Sequence, residues 1–178
     1  ELRDFSCAVF DADGSLVANA PHVPVHLGAM GHTVRDLLAE KGEEVGPGTA
    51  WVSNDPYAGG SHLPDITVVM PVCDARGQRL GLVACRGHHV DVGGIRPGSM
   101  PPHARCIEEE GLLLRHHRLL AAGALHFPEL PGCRQPEEVR ADLEAQVAAC
   151  AAGEEALRAL HAEVGEAAWR AQLGWIQA

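Results

Sequence analysis

Two apolar runs, Ile66 to Cys73 and Leu80 to Cys85, are separated only by Asp74-Ala-Arg-Gly-Gln78, and no other feature constrains the chain as tightly. Short apolar runs joined by a glycine-containing turn form a β-hairpin. With Arg76-Gly77 as a two-residue turn, the strands zip so that Asp65 faces His88 and His62 faces Asp91. Directly opposed residues of an antiparallel pair have Cβ atoms roughly 4.5–5.5 Å apart. The two hairpin feet, each carrying a His and an Asp, would therefore meet at the open end. A one-residue slip turns side chains to the other face of the sheet, so the convergence of the feet is a firmer expectation than the individual pairs.

Neutral imidazole and carboxylate suit a borderline or hard divalent metal such as Zn, Mn or Fe(II). His62, Asp65, His88, His89 and Asp91 are the candidate ligands. Gly59-Gly60, Gly93-Gly94 and Gly98 flank them, and glycine lets backbone approach a ligand closely or adopt positive φ. Against this stands a plainer reading, in which the histidines are hydrogen-bonded loop residues and the aspartates cap turns. Five such side chains gathered by one hairpin favour the metal.

At 178 residues and 46% hydrophobic content the chain is expected to form a single domain with a real core. Its net charge is −10 and Lys41 is its one lysine, so the basic patch that phosphate-backbone binding demands is missing and nucleic acid is a poor partner. No apolar run approaches the ~20 residues needed to cross a bilayer. No signal-peptide pattern precedes the first strand, so the segment reads as soluble. The six cysteines show no C-x-x-C spacing, which argues against a structural zinc knuckle.

Taken in order, Phe5 to Phe10, a turn at Asp13-Gly14 and Ser15 to Ala18 make a first hairpin. Asp11-x-Asp13-Gly14 has the start of a calcium loop, but its remaining acidic positions are absent. His22 and His26 bracket Val23-Pro-Val, expected to be extended because Pro biases its predecessor to β geometry; His26 is either a site group or a buried structural histidine. Met30, Val34, Leu37 and Leu38 mark one face of a helix ending near Lys41-Gly42. Thr49 to Ser53 reads as a strand. Asp55 is either a turn former or a further site carboxylate.

Val92 to Pro102 is too rich in Gly and Pro for regular structure, as expected for a wall of a substrate site. There Arg96 either offers a fork of donors for an anionic group or forms a surface salt bridge, the commoner fate of an Arg. Ser99 lacks the strand-turn-helix elbow of a nucleophile and reads as a hydrogen-bonder. Glu108-Glu-Glu110 reads as a solvated face, with Glu109 and Glu110 as weaker acid/base candidates, and His116-His117 stays outside the site. From Pro136 the periodicity is helical, in two helices interrupted at Gly153, with Val139, Leu143, Val147 and Cys150 on one face and Leu157, Leu160, Val164 and Ala168 continuing. Such an Ala-rich pair is expected to pack against something larger. The fold class is α+β, with hairpins and short strands in the first two thirds and a helical segment over about 136–178.

Several long motifs closely resemble the hydantoinase B/oxoprolinase family: Val23-Pro-Val-His-Leu-Gly28, Asn54-Asp-Pro-Tyr-x-Gly-Gly-x-His-Leu-Pro-Asp65, His88-His-x-Asp-Val-Gly-Gly94 and Pro97-Gly-Ser-Met-Pro101. Asp4 to Gly14 and Glu109-Glu-Gly111 match as well. The resemblance implies an N-terminal portion of a longer chain, consistent with Glu1-Leu-Arg-Asp beginning within the pattern. It implies a cytoplasmic, hetero-oligomeric hydrolase of five-membered cyclic amides, with free thiols. A hydantoinase A-like ATPase partner would bind ATP and phosphorylate the substrate carbonyl, which fits the absence here of a Gly-x-x-x-x-Gly-Lys-[Ser/Thr] loop. Within this reading His26, His89 and Asp55 are the catalytic candidates and Tyr57, Arg96 and Ser99 the substrate-binding ones. A related reading keeps the metal, manganese in that case, for ketone carboxylation in the manner of an acetone carboxylase α subunit. A third is a metal-binding or assembly fragment without catalysis.

Overall fold

A computed structural model describes residues 4–20, 23–98 and 100–177, without the side chain of Leu27. In chain order its elements are β1 (Phe5–Asp11), β2 (Leu16–Ala20), α1 (Pro24–Lys41), β3 (Ala50–Ser53), β4 (Asp65–Cys73), β5 (Arg79–His88), α2 (Ile107–Glu110), β6 (His117–Ala121), β7 (Ala124–Leu125), α3 (Pro136–Val164) and α4 (Glu166–Ile176). The seven strands form one antiparallel sheet in the order β2-β1-β5-β4-β3-β6-β7. Helix α1 lies on one face and α3 with α4 on the other, which is the α+β arrangement expected.

The β4–β5 hairpin at the centre is buried along nearly its whole length. Val69, Leu82 and Ala84 point toward α1, where they join Met30, Val34 and Leu37. Ile66, Val68, Met70, Val83 and Cys85 point the other way, against Val139, Leu143 and Cys150 of α3. Burying each large apolar side chain stabilises the fold by roughly 1.5–3 kcal/mol. A strand covered on both faces reads as a continuous apolar run rather than an alternating one, which is why the two runs stood out.

Asp65 pairs with His88, and the register expected from the sequence holds from Asp65 to Val72. The turn itself is wider than a two-residue one. Asp74 accepts from the backbone N–H groups of Arg76 and Gln78, and a shift between Val72 and Cys73 restores the register. Asp11 plays the same capping part in the first hairpin, accepting from Asp13 and Ser15.

Two expectations are corrected. The extended stretch across Val23-Pro-Val-His26 is extended only at Val23; Pro24 opens α1 and places His26 in its first turn, because a missing N–H costs nothing there. His22 lies outside the described residues. Gly153 does not interrupt the C-terminal helix: α3 runs on to Val164 and the break falls at Gly165, which has φ 78°. Gly153 faces the sheet, where an added Cβ would meet Val83 at 3.0 Å, so its lack of a side chain admits close helix–sheet packing. One face of α3 covers the β4–β5 face of its own sheet.

Candidate metal centre

At the open end of the hairpin, Asp65 is the hub of the α1-facing side. It begins β4, is 2% exposed, and meets three imidazoles. His88 Nδ1, at the end of β5, lies 3.1 Å from Oδ1. His62 Nδ1, from the preceding loop, and His26 Nε2, from α1, each lie 3.2 Å from Oδ2. Ser61 donates its hydroxyl to Oδ2. The His62 and His88 rings stack with centroids 5.0 Å apart.

Burial alone would discourage ionisation of Asp65, but the hydrogen bonds from His62, His88 and Ser61 outweigh it and hold the carboxyl far below its usual range. The bond to Asp65 raises the His88 pKa. Burial lowers that of His26, whose Nδ1 is oriented by Ser6 Oγ at 3.2 Å.

Behind the cluster sits Arg86, fully buried. It shares the face of His88, two residues along the strand. Its guanidinium donates to Thr67 Oγ1, Thr33 Oγ1 and the Gly59 carbonyl, while Nη1 has no hydrogen-bond partner among the described residues. Burial pulls its pKa down to about 10, which leaves it charged at neutral pH. Gly59 must be glycine: at φ 88° an added Cβ would lie 2.4 Å from Thr33 N. Arg86 had no role in the sequence reading. A cation two residues before His88 in an otherwise apolar strand was the signal for it.

The remaining candidates separate. His89 follows His88 and so projects to the opposite, α3-facing side, where its Nε2 meets Gln146 Oε1 at 3.0 Å. Burial lowers its pKa and keeps the ring neutral. Asp91 does not face His62, because β5 has ended. It is buried, but it accepts from Gly93 N, Arg134 N and Arg134 Nη1. Those donors overcome the burial penalty and depress its pKa. It ties the segment after β5, at residue 93, to the segment before α3, at residue 134.

Asp55 accepts from Tyr57 N at 2.8 Å and pairs with Arg115, whose Nε lies 2.7 Å from Oδ2, so it occupies the turn-forming place. Asn54, the motif's first residue, donates to the Leu63 and Leu112 carbonyls and accepts from Leu114 N, tying the 54–63 loop to the segment before β6. Tyr57 is 84% exposed and Arg96 is exposed. Ser99 lies outside the described residues. His116, set aside in the sequence, is buried with its Nε2 2.8 Å from Asp36 Oδ2 and 3.8 Å from Glu40. The adjacent Arg115 already supplies positive charge to that acidic face of α1.

The ligand atoms of His62, Asp65 and His88 all lie within 4.8 Å of one another. An imidazole-to-carboxylate hydrogen bond marks a place where a cation can substitute for a proton, and two nitrogens with one carboxylate are a ligand set that divalent transition metals accept. The residues present therefore fit a divalent metal, with His26, Ser61 and Arg86 forming the shell around Asp65.

Fold and site together define an α+β protein with an imidazole–carboxylate cluster of the metal-centre type at the feet of a central hairpin. The hydantoinase B/oxoprolinase family profile matches residues 1–178, and the chain belongs to that family. It is 45% identical to 5-oxoprolinase 1 of Arabidopsis thaliana, covering 99% of this chain and 15% of that protein. It is 31% identical to the caprolactamase subunit beta of Pseudomonas jessenii, covering 85% of this chain and 27% of the subunit. The crystal structure of the ATP-dependent caprolactamase from that bacterium superposes with a TM-score of 0.87 at 28% identity, over 98% of this chain and 31% of the other. Acetone carboxylase in a nucleotide-free structure shares the fold, with a TM-score of 0.82 at 23% identity over 93% of this chain and 23% of the other. The chain thus spans less than a third of the length of each of these relatives. No helix among the described residues is long and apolar enough to cross a membrane.

Proposed function

We propose that this chain is the metal-bearing portion of an ATP-dependent hydrolase that opens cyclic amides. The observation that carries the reading is the convergence of His62, Asp65 and His88 at the hairpin feet of a chain in this family. Relatives named 5-oxoprolinase and caprolactamase support the substrate class. In this reading His62, Asp65 and His88 hold a divalent ion, Mn, Zn or Fe. Such an ion supplies Lewis acidity for an activated carbonyl and acidifies nearby water.

The chain's own residues keep that set in place. His26 and Ser61 fix the orientation of the Asp65 carboxylate. Arg86, close enough for its charge to act on Asp65, favours the ionised form. The exposed Tyr57 and Arg96 stand at the solvent side as substrate-facing groups. ATP belongs to a hydantoinase A-like partner subunit, which activates the carbonyl oxygen by phosphorylation before this component acts. The relative named as a subunit beta supports such a division.

The test combines the complete natural protein with its ATPase partner and offers 5-oxoproline, a hydantoin and caprolactam. We expect one equivalent of divalent metal, and ring opening that stops on chelation while ATP turnover continues. Ring opening that persists in a metal-free Asp65→Ala protein would sink the proposal.

A further inference from the structure

On the opposite face of β5 from the metal centre, a cavity of about 360 Å³ lies between β1, β5 and α3. Its walls include Phe5, Ala145 and Ala149, its rim carries Asp4 and Asp142, and His88 and His89 border it. No lysine or arginine is among the described residues that line it.

The hydrogen bonds around Gln146 determine what His89 offers to this space. The Gln146 amide nitrogen donates to two backbone carbonyls, Ile66 O at 2.9 Å and Cys85 O at 3.1 Å. Carbonyls only accept, so the orientation of the amide is set and its Oε1 must receive the proton of His89 Nε2, 3.0 Å away. In the neutral ring the other nitrogen, Nδ1, is then a bare acceptor. It is buried and has no hydrogen-bond partner among the described residues. The nearest carboxylate oxygen, Asp142 Oδ2, lies 3.9 Å off, too far for a hydrogen bond and itself an acceptor.

A buried acceptor without a donor is costly, and here it borders a cavity rimmed by two carboxylates. A metal is a poor answer, since among the described residues this group is not one where three ligand atoms converge. The volume suits a small organic molecule. We propose that the cavity is a binding site for a small molecule presenting an ammonium or amide N–H, the nitrogen seated between His89 Nδ1 and Asp142 and the carbon chain against Phe5, Ala145 and Ala149.

Identifying that molecule with the reaction rests on the hydrolase reading above. Hydrolysis of a ring C–N bond puts the hydroxyl of water on the carbonyl carbon and its remaining proton on nitrogen. The amine so released takes up a further proton at neutral pH and becomes an ammonium. His88 ends β5 and borders both the metal centre and the cavity, so the amine end of the released product would reach the site around the end of that strand. The preference for a donor does not depend on this identification.

The experiment titrates n-butylammonium into the complete natural protein by calorimetry after chelation, with n-butanol and butanoate as controls. n-Butylammonium should bind at least roughly tenfold more tightly than either control, a ratio that one charge-assisted hydrogen bond supplies. Asp142→Asn, at an exposed helix position, should weaken it by about the same factor. Ala149→Leu, which fills the cavity from an exposed face of α3, should abolish it while the melting temperature holds. Equal binding of n-butanol, or n-butylammonium binding that survives Ala149→Leu, would overturn the site. Metal content and ring opening are measured separately, so the cavity and the hydrolase reading can fail independently.

Discussion

Asp65 and Asp91 are both buried carboxylates in family-like motifs at the same end of the same hairpin, yet their surroundings differ in kind. Asp65 is surrounded by three imidazoles and a hydroxyl, partners that a cation can displace or share. Among the described residues Asp91 is held by two backbone N–H groups and a guanidinium, donors that keep their protons at neutral pH. Both carboxyls are depressed in pKa, so the direction of the shift does not tell them apart. What separates a ligand from a clamp is whether the neighbouring charge can be exchanged.

The sharpest test replaces each in turn. Asp65→Asn should lower metal affinity more than about 100-fold, beyond the 10- to 100-fold typical of groups one shell out, and metal analysis with turnover would show it. His26→Ala, which removes an outer partner of Asp65, belongs in that 10- to 100-fold range; an unchanged affinity would mean that the ring is only packing. Asp91→Asn should keep the metal and lose stability instead, by about 1–3 kcal/mol for a buried charged network left short of an acceptor. Loss of metal in that variant at unchanged fold would break the contrast between the two carboxylates.

Acid unfolding sharpens it further. Asp91 has a folded pKa below its unfolded one, so its contribution is present above the ordinary carboxylate value of about 3.9 and is lost as pH falls below it. Denaturant midpoints measured across that range should fall less steeply in Asp91→Asn than in the wild type. The smallest effect belongs to Tyr57→Ala: at 84% exposure it should move stability by no more than about 0.5 kcal/mol. A raised KM without a changed kcat would support its substrate-facing place, and unchanged kinetics would remove it from the site.

Much of this was legible in the chain. The pairing of Asp65 with His88 follows from two apolar runs and the turn between them, since a strand's period of two leaves little freedom once both faces are covered. The same period explains what went unread. His89 adjoins His88 in sequence but lies across the sheet from it, and that is visible only once the strand is known to continue to residue 88. Asp91 stands past that point, where the alternation of strands no longer assigns a face. Pro24 carried two messages, extended backbone before it and a helix start at it, and the second places His26 over Asp65. Gly153 read as a break because glycine is a poor helix former, whereas the close approach of Val83 is a fact of packing.

Local chemistry written along the chain was therefore enough for most of the elements up to β5, the β4–β5 register, the family and the residue types a metal needs. Assigning those residues to roles required the folded sheet: which histidine shares a face with Asp65, which carboxylate Arg134 claims from a segment 43 residues away, and which nitrogen of His89 is left without a proton by Gln146. The physical reason is range. Turn chemistry and side-chain alternation act within a few residues, while burial and charge pairing depend on neighbours that only chain folding brings together.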